Sequence, residues 1–490
     1  MIENLPILVV LAMVVFAVTI PFWKKLSFRF TLILGGIVLV SALVANVAIW
    51  NHVQANGEIL FRFGGHLPFL GIEFKIDAFA SMFSLFVATL SLLIYLYSSG
   101  DKTEGIEQPE FFRFYVLFFL MLFSMYGILF SNDIFNTYVF IEILSLTSCA
   151  IVSIKRKKEA YAAAFRYVML NEIGSLSFLL GIAFLYMSTG RLNIDLLRDA
   201  LHTGTIQANV WMAVAFFTAG LGLKAAVFPF HIWLPDAYAS APTTSSAMLS
   251  SIVSKMYLVI LIKVYAKVFG FDLLKGSALS TLLLVLASLG MILGSVYALA
   301  QKDLKRMLGY SSVSQIGYVL LGIAFFSEAG LRSAFFHMIS HGLTKAALFL
   351  AVGIVIYLKQ SRSVKGFEGT GFQMPIAMSV FAVAAFSMIG IPLTSGFIAK
   401  WNLGIAAETA SQFGFLVLIV VSSFLNAMYF LPILFTAFFK DPADGPQRAK
   451  PEKIPAPMLV SIGALAVMIL LLGIFPDWLM TMIDVVLAGF

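Results

Sequence analysis

The chain has little charge and almost no cysteine. Of its 490 residues, 12% are charged and 60% are hydrophobic, and there is one cysteine, Cys149. A single cysteine excludes an internal disulfide scaffold, a CxxC metal site and a cysteine-ligated iron–sulfur cluster within this chain. We therefore expect no cofactor bound by the chain itself, so any redox centre must belong to a partner.

What is abundant instead is apolar sequence. Soluble domains average about 45–50% apolar and about 25% charged residues, so this composition indicates a polytopic membrane protein. Most of the chain divides into apolar runs of the ~17–25 residues that cross a hydrocarbon core. Residues 5–22 follow an acidic start that lacks a cleavage motif, which predicts a retained first span rather than a removed signal peptide.

The apolar runs predict an all-α polytopic membrane protein with about 14 transmembrane helices. We divide the chain into three N-terminal spans in 1–110, two five-helix units in 111–270 and 271–440, and a C-terminal loop with the last span in 441–490. The predicted spans are residues 5–22, 29–50, 77–99, 111–131, 133–154, 162–188, 209–228, 243–269, 279–300, 308–327, 331–358, 374–409, 413–439 and 456–486.

Two predicted spans contain helix-breaking residues. Span 7 meets Pro229, followed by Pro235 and Pro242, and span 12 contains Pro392 between two glycines. Proline removes a backbone donor and clashes with the preceding turn, so both helices are expected to break inside the membrane. Broken helices in corresponding places indicate inverted repeats, and we predict that spans 4–8 and 9–13 are related in this way.

Basic residues are unevenly distributed between the two sets of loops. If the N-terminus is outside, the cytoplasmic loops hold about 19 basic residues, including the run KRKK at 155–158, against about 7 on the other side. Cytoplasmic loops are enriched in Lys and Arg. The sequence therefore predicts a multi-pass protein of the cell membrane with both termini outside, and its net charge of +7 requires no nucleic-acid partner.

Several ionisable residues lie within the predicted spans. A charge at the middle of a bilayer costs at least about 2.5–3.5 kcal/mol on insertion scales, and such residues usually face a protein or water interior and have a function. One acid cannot neutralise four lysines, so fixing helix register does not explain the whole set. Its members are Glu142 in span 5, Lys224 in span 7, Lys255 in span 8, His337, His341 and Lys345 in span 11, and Lys400 in span 12.

Individual members of this set also have structural interpretations. Glu142 and Lys224, taken alone, are compatible with a buried pair that only fixes helix register. A lone histidine on an apolar face, such as His337, is often a hydrogen-bonded core residue, whereas His341 has Lys345 as a neighbour one turn later. These alternatives stay open at the level of the sequence.

Four further polar residues lie near the set. His231 and Asp236 follow the break in span 7 and are candidates for a proton entrance, although a structural loop would have the same sequence. Lys263 is expected to extend from a helix end to the membrane interface. Glu172 either pairs with a nearby basic residue or faces a partner subunit.

Buried lysine and histidine side chains are suited to moving protons. Desolvation favours the neutral form of lysine and an adjacent carboxylate restores the charged form, so a lysine beside a movable carboxylate can take up and release a proton. Histidine exchanges protons near physiological pH. The sequence has no phosphate-binding loop, no nucleophile elbow and no metal-ligand set around its histidines, so we predict no catalytic centre and no metal site.

Three sequence blocks resemble a known family. They are LKAAVFPFHIWLPDAYASAPTTSSAMLSSIVSK, QKDLKRMLGYSSVSQIGYVLLG and HMISHGLTKAALFL. Over roughly residues 75–440, the chain resembles the antiporter-like subunits shared by respiratory complex I, Mrp-type Na⁺/H⁺ antiporters and membrane-bound hydrogenases.

The resemblance implies a role for each buried residue. In that family a Glu on span 5 pairs with a Lys on span 7, and a Lys on span 8 continues the path; these positions correspond to Glu142, Lys224 and Lys255. The three polar residues of span 11 match the central connection, and Lys400 matches the lysine that ends the path in the Mrp D-type and hydrogenase subunits. The long lateral helix of the distal complex I subunit is not expected here.

The resemblance thus implies a non-redox subunit of a multi-subunit membrane complex that contains another antiporter-like subunit. It would move H⁺, with Na⁺ transport left open, in an Mrp D-type or hydrogenase-like complex. The alternative is an antiporter-like subunit of a complex I-type NADH:quinone oxidoreductase. A free-standing solute permease would use the broken helices as a substrate site, and a purely structural scaffold would not retain such costly lysines.

Overall fold

The fold is that of a helical membrane protein, and the bilayer determines how its helices are distributed. The computed structural model describes residues 2–23, 27–66, 71–101, 108–203, 208–440 and 453–490. Twelve helices in this part are long and apolar enough to cross a membrane, and two shorter apolar helices occupy the positions of predicted spans 7 and 12. The helical membrane fold is confirmed, while the number of crossings stays a prediction.

The N-terminal half contains the first of the two broken helices. Its elements are, in chain order, α1 (Leu5–Trp23), α2 (Phe28–Asn56), β1 (Ile59–Arg62), β2 (Glu73–Ile76), α3 (Ala78–Gly100), α4 (Gln108–Phe130), α5 (Ile134–Val152), α6 (Lys158–Thr189), α7 (Ile194–Thr203), α8 (Ala208–Lys224), α9 (Trp233–Ser240), α10 (Thr243–Met248) and α11 (Ser254–Ile262).

The C-terminal half contains the second broken helix. Its elements are α12 (Phe271–Leu274), α13 (Ala278–Leu299), α14 (Leu304–Ala324), α15 (Glu328–Lys359), α16 (Thr370–Gln373), α17 (Pro375–Ile389), α18 (Ser395–Thr409), α19 (Gly414–Phe439), α20 (Ala456–Ile474) and α21 (Asp477–Leu487).

Aspartates define the starts of several spans. Asp77, Asp133 and Asp303 each accept a hydrogen bond from the backbone N–H three residues later, at 2.7–2.9 Å. Such caps satisfy donors that the first helical turn leaves free, and a negative charge there is favoured by the helix dipole. The caps fix where the polar loops end and the apolar helices begin.

The structure differs from the predicted spans in three places. A short antiparallel hairpin forms between α2 and α3, with Ile59 opposite Ile76 and Arg62 opposite Glu73, so the chain is not purely helical. The amphipathic helix α7 lies where a loop was expected. The predicted last span is two helices, α20 and α21, because the helix ends at Phe475 and Pro476 starts a new one.

The core lies at α15 and at the span formed by residues Thr243–Phe269. The most apolar stretches of both are completely buried, whereas most residues in the corresponding stretch of α2 are not. The span Thr243–Phe269 is continuous from α10 through α11, with π-helical turns at Leu249–Val253 and Lys263–Phe269. Four of the seven predicted pathway residues lie on these two elements, far from lipid.

The C-terminus lies on the same face as the hairpin. The ring of Phe490 packs against that of Phe79 at a centroid distance of 5.3 Å, and Phe79 lies in the first turn of α3, three residues after β2. Arg332 and Asp484 form an ion pair that attaches α21 to α15. We call this face of the molecule the hairpin face, and the opposite one, which carries residues 155–158, the basic face.

Candidate functional site

Glu142 and Lys224 form an ion pair between α5 and α8. Glu142 Oε1 lies 3.7 Å from Lys224 Nζ; the Lys224 side chain is fully buried, whereas 21% of the Glu142 side chain is exposed. Lys224 Nζ also donates to Ser145 Oγ at 2.7 Å. Glu142 Oε1 has no hydrogen-bond partner among the described residues, so the carboxylate can move away without losing a short hydrogen bond.

Small residues bring Lys224 into this position. A Cβ atom added to Gly174 on α6 would lie 2.9 Å from the carbonyl oxygen of Gly220 and 3.1 Å from Cγ of Lys224. Only glycine permits such a close approach, which is how membrane helices commonly pack. The contact between α6 and α8 therefore fixes the depth and direction of the lysine.

The helix containing Lys224 ends at that residue. α8 stops at Lys224 and α9 starts at Trp233, with Pro229 in the interval and Ala226 in the left-handed region at φ 57°. The indole N–H of Trp233 donates to the carbonyl of Leu223 at 3.1 Å. This bond satisfies one of the backbone acceptors that a helix end leaves free.

His231 and Asp236 lie in different surroundings. The buried His231 ring stacks on Phe228 at 5.1 Å. Asp236 accepts hydrogen bonds from Arg166 at 2.7 Å and from Arg306, and so joins α6, α9 and α14 on the basic face. Arg166 therefore pairs with Asp236 and not with Glu172. The role of His231 and Asp236 as a proton entrance stays a prediction.

Lys255 is fully buried at the start of α11. Its Nζ donates to the carbonyl of Ser250 and lies 3.3 Å from Ser254 Oγ. Ser250 belongs to the π-helical turn before α11, and such turns change which carbonyls remain free for side chains. A Cβ atom added to Gly342 on α15 would lie 2.9 Å from the carbonyl oxygen of Ser251, so this π-helical turn packs directly against the helix that carries His337 and His341.

The histidines of α15 have unused nitrogen atoms. His337 Nε2 lies 3.0 Å from Gln315 Oε1, while its Nδ1 and both ring nitrogens of His341 have no hydrogen-bond partner among the described residues. Buried polar atoms in native proteins are nearly always bonded to protein or water. Lys345, one turn beyond His341, donates to the carbonyl of Leu308 at 2.7 Å and to Ser311 Oγ.

Lys400 lies at the second break. Its Nζ donates to the carbonyls of Met388 and Ile389 and to Ser423 Oγ, each at 2.9 Å. The two carbonyls form the C-terminal end of α17, where the helix dipole favours a positive charge. Pro392 lies in the interval between α17 and α18.

Tyr318 connects Lys400 to the histidines. Its ring stacks on that of His337 at a centroid distance of 5.3 Å, and Lys400 Nζ lies 4.9 Å from the centre of the same ring. A cation at this distance from an aromatic ring is attracted to it. The structure thus brings the polar residues of α15 and Lys400 into one continuous group.

Sequence reasoning missed two buried lysines. Lys263 does not reach the interface as expected; it is buried and donates to the carbonyls of Leu129 and Ser131 at the end of α4. Lys305 lies between the predicted spans 279–300 and 308–327, where a loop was expected, but it is buried and donates to the carbonyl of Ala241 at 2.6 Å. The apolar sequence around Lys263 was the available signal for its burial.

A cluster of charged residues on the hairpin face was also not anticipated. Lys75 on β2 pairs with Asp195 on α7 at 2.9 Å. Burial alone would raise the pKa of Asp195, but its hydrogen bonds to Lys75 and Asn132 and the charge of Lys75 lower that pKa below its ordinary value. The pair attaches the hairpin to α7. Among the described residues, no group of three His, Cys, Asp or Glu side chains could hold a metal ion.

The fold and the buried ionisable groups are those of an antiporter-like membrane subunit. Residues 131–426 match the family described as NADH:quinone oxidoreductase/Mrp antiporter, TM, and the chain belongs to this family. The resemblance inferred from the three sequence blocks is therefore confirmed.

Relatives and a solved structure agree over nearly the full chain. NADH-quinone oxidoreductase subunit N of Desulforudis audaxviator is 35% identical over 496 residues, which cover 97% of each chain. The D-type subunit of the Na⁺/H⁺ antiporter of Bacillus subtilis is 28% identical over 437 residues, covering 88% of this chain and 86% of that one. A chain of the Mrp complex from Dietzia sp. matches with a TM-score of 0.90 and 26% identity, covering 100% of this chain and 97% of that one.

These matches confirm the class of protein and its setting. The chain is an antiporter-like subunit of the type found in Mrp antiporters, complex I and related membrane-bound complexes. The prediction that it works beside other membrane subunits is confirmed as well, because the matching structures are multi-subunit assemblies.

Proposed function

We propose that the chain is the proton-translocating subunit of an Mrp-type cation/proton antiporter. Protons would pass from the Glu142–Lys224 pair through Lys255 and the polar residues of α15 to Lys400. The observation that carries the proposal is the series of ionisable side chains inside the helix bundle, of which all but Glu142 are buried. Buried charges are costly to retain in a membrane unless they are used.

The Glu142–Lys224 pair would act as the switch of this path. While the carboxylate lies near the ammonium, Lys224 keeps its proton. When the carboxylate moves away, the buried ammonium loses its counter-charge and gives its proton to the next group, and it returns to the neutral amine. The 3.7 Å separation and the break directly after Lys224 both support such a movement.

A partner subunit would cover Glu142. One fifth of the Glu142 side chain is exposed, although α5 carries it at mid-membrane depth, and a carboxylate facing lipid is strongly disfavoured. Another polar chain at this surface removes that cost and supplies the signal that moves the carboxylate. Neighbouring subunits would in this way be coupled through Glu142.

The basic face would be cytoplasmic and the hairpin face would be outside. The predicted topology assigns about 19 basic residues to the loops on the side of residues 155–158 against about 7 on the other side, and positive loops remain inside. Both termini would then be outside. The transported ions would be H⁺ and, in an antiporter, Na⁺ as the exchanged cation.

A second candidate is an antiporter-like subunit of a quinone oxidoreductase. The 35% identity to a subunit N favours it. The two candidates differ in their driving force, because an antiporter works from an ion gradient alone whereas the oxidoreductase requires an electron donor and a quinone. Identifying the subunits of the purified native complex separates them.

The proposed function is tested by Lys224→Ala and Glu142→Ala in the native complex. Each variant is reconstituted into vesicles, an inward Na⁺ gradient or an electron donor with quinone is applied, and internal pH is followed with a dye. We expect both variants to assemble and to lose proton movement, while Lys440→Ala, at the surface, keeps it. Variants that assemble poorly but transport normally per assembled complex would contradict the proposal.

A further inference from the structure

A group of buried hydroxyls extends from Lys224 toward the basic face. Lys224 Nζ donates to Ser145 Oγ at 2.7 Å, and Ser145 Oγ lies 3.2 Å from the hydroxyl of Tyr257 on α11. All three side chains are buried. The two hydroxyls therefore form a continuous hydrogen-bonded link that ends on the ammonium group.

Two more hydroxyls continue the link on α5 and α6. The ring of Tyr167 on α6 stacks on Trp233 at a centroid distance of 4.1 Å, beside the helix break that follows Lys224, and Ser148 lies three residues after Ser145 on α5. The hydroxyls of Tyr167 and Ser148 have no hydrogen-bond partner among the described residues. Tyr167 and Ser148 are both completely buried. Buried hydroxyls of this kind are normally joined by water.

The positions of these groups give the link a direction. On α5, Glu142, Ser145 and Ser148 follow at intervals of three residues, so each lies about 4.5 Å farther along the helix toward the basic face. On α6, Tyr167 directly follows Arg166, which pairs with Asp236 at that face. The link therefore rises from mid-membrane toward residues 155–158.

Tyr265, a second buried tyrosine of the same span, does not belong to such a series. Tyr265, two turns after Tyr257, shares a hydrogen bond of 2.7 Å with Thr218, whose hydroxyl returns to the carbonyl of Val214. That bond is what a tyrosine in a core requires and it leads no farther. The Tyr257 hydroxyl differs because its partner also contacts the ammonium of Lys224.

We propose that Ser145, Tyr257, Tyr167 and Ser148 form the relay that carries protons between the basic face and Lys224. The proposal rests on the proposed function and identifies the entrance of its path. The relay does not include the buried His231, whose ring stacks on Phe228. Its end toward the basic face lies near the Arg166–Asp236 pair.

Each transfer along the relay leaves its hydroxyls unchanged. A hydroxyl oxygen accepts a proton from the side of the basic face and passes its own proton to the next oxygen. The last step moves the proton of Ser145 to the neutral amine of Lys224, which becomes the ammonium. The net change is one proton lost at the basic face and one gained by Lys224, with no oxidant or cofactor involved.

Tyr257→Phe tests the relay, because it removes one hydroxyl and keeps the ring in the core. The matched control is Tyr265→Phe, which removes an equally buried hydroxyl from the same span. In vesicles that contain the native complex, we expect Tyr257→Phe to slow proton movement per assembled complex by at least about tenfold. A positioned proton-transfer group usually contributes about a hundredfold or more, so this expectation is a lower bound. Tyr265→Phe is expected to transport like the wild type.

The solvent isotope effect separates a relay from a purely structural role. If Tyr257→Phe breaks the relay, proton delivery limits the transport rate. The rate of this variant should then fall more on transfer from H₂O to D₂O than the rate of the wild type does. A merely structural change would lower thermal stability or assembly and leave the isotope effect unchanged. Where Tyr257→Phe fails to assemble, Ser145→Ala breaks the same link and is expected to give the same result.

The outcomes distinguish this inference from the proposed function. Tyr257→Phe and Tyr167→Phe complexes that transport at the wild-type rate, while Lys224→Ala is inactive, would overturn the relay and leave the function in place. Wild-type transport by Lys224→Ala and Glu142→Ala would overturn the function itself. A slow Tyr257→Phe together with an active Tyr265→Phe supports both.

Discussion

Replacing Glu142 by Asp and by Gln separates the charge of its carboxylate from its reach. At an effective dielectric constant of about 20, unit charges 3.7 Å apart attract by about 4.5 kcal/mol. Since 21% of the Glu142 side chain is exposed, screening by solvent reduces this to about 3–4 kcal/mol. That is the attraction available to hold a proton on Lys224 until the carboxylate moves.

The two variants should differ by a predictable amount. Glu142→Asp keeps the charge but withdraws it by about 1.5 Å, which leaves roughly 70% of the attraction and removes about 1 kcal/mol. Glu142→Gln removes all of it. With about 1.4 kcal/mol for each tenfold change, we expect proton movement to fall about fivefold in Glu142→Asp and at least about a hundredfold in Glu142→Gln.

The assay is the initial rate of pH change in vesicles, divided by the amount of assembled complex. Glu159→Gln is the control, because Glu159 is an exposed carboxylate in the first turn of α6, and this variant should keep most of the activity. Equal rates for Glu142→Asp and Glu142→Gln would refute the reasoning, since the effect would then not follow the charge.

Two further predictions concern packing and pH. A Cβ on Gly220 would lie 2.6 Å from the carbonyl oxygen of Gly174, whereas one on Gly222 would have no atom nearer than 3.9 Å. Gly220→Ala should therefore lower the free energy of unfolding by about 1–3 kcal/mol. An equal loss in Gly222→Ala would contradict this. The lowered pKa of Asp195 means that its pair with Lys75 stabilises the fold at neutral pH and is lost as pH falls through that pKa. Asp195→Asn should thus lower the unfolding midpoint at pH 7, and this difference should shrink as pH falls below the ordinary aspartate pKa of about 3.9; a difference that stays constant in acid would be evidence against the pair.

Features that depend on neighbouring residues along the chain were open to prediction. The apolar runs, the breaks near Pro229 and Pro392, and the identity of the residues carrying charge into the membrane all follow from composition and local backbone chemistry. The family blocks added the expectation that Glu142 meets Lys224, and the structure places them 3.7 Å apart. The inverted repeat, the domain boundaries and the order of proton transfer stay predictions.

Features that depend on how helices are rotated against each other could not be predicted from the sequence. Lys263 and Lys305 resemble interfacial lysines in sequence, yet both reach carbonyl groups of other segments. The final span is divided at Phe475, and β1 and β2 form an antiparallel pair that Lys75 attaches to α7. Each case depends on a partner that lies far away in the sequence.

By itself, the sequence determined that this protein is a bundle of membrane helices with two breaks and a set of costly buried charges, because length, hydropathy and proline chemistry act locally. Only the tertiary structure decided which groups those charges meet. The contact of Tyr318 with both His337 and Lys400, and of Ser145 with both Lys224 and Tyr257, depends on the depth and rotation of several packed helices. Close packing at residues such as Gly174 and Gly220 sets that depth and rotation, and it does so through contacts that no single segment specifies.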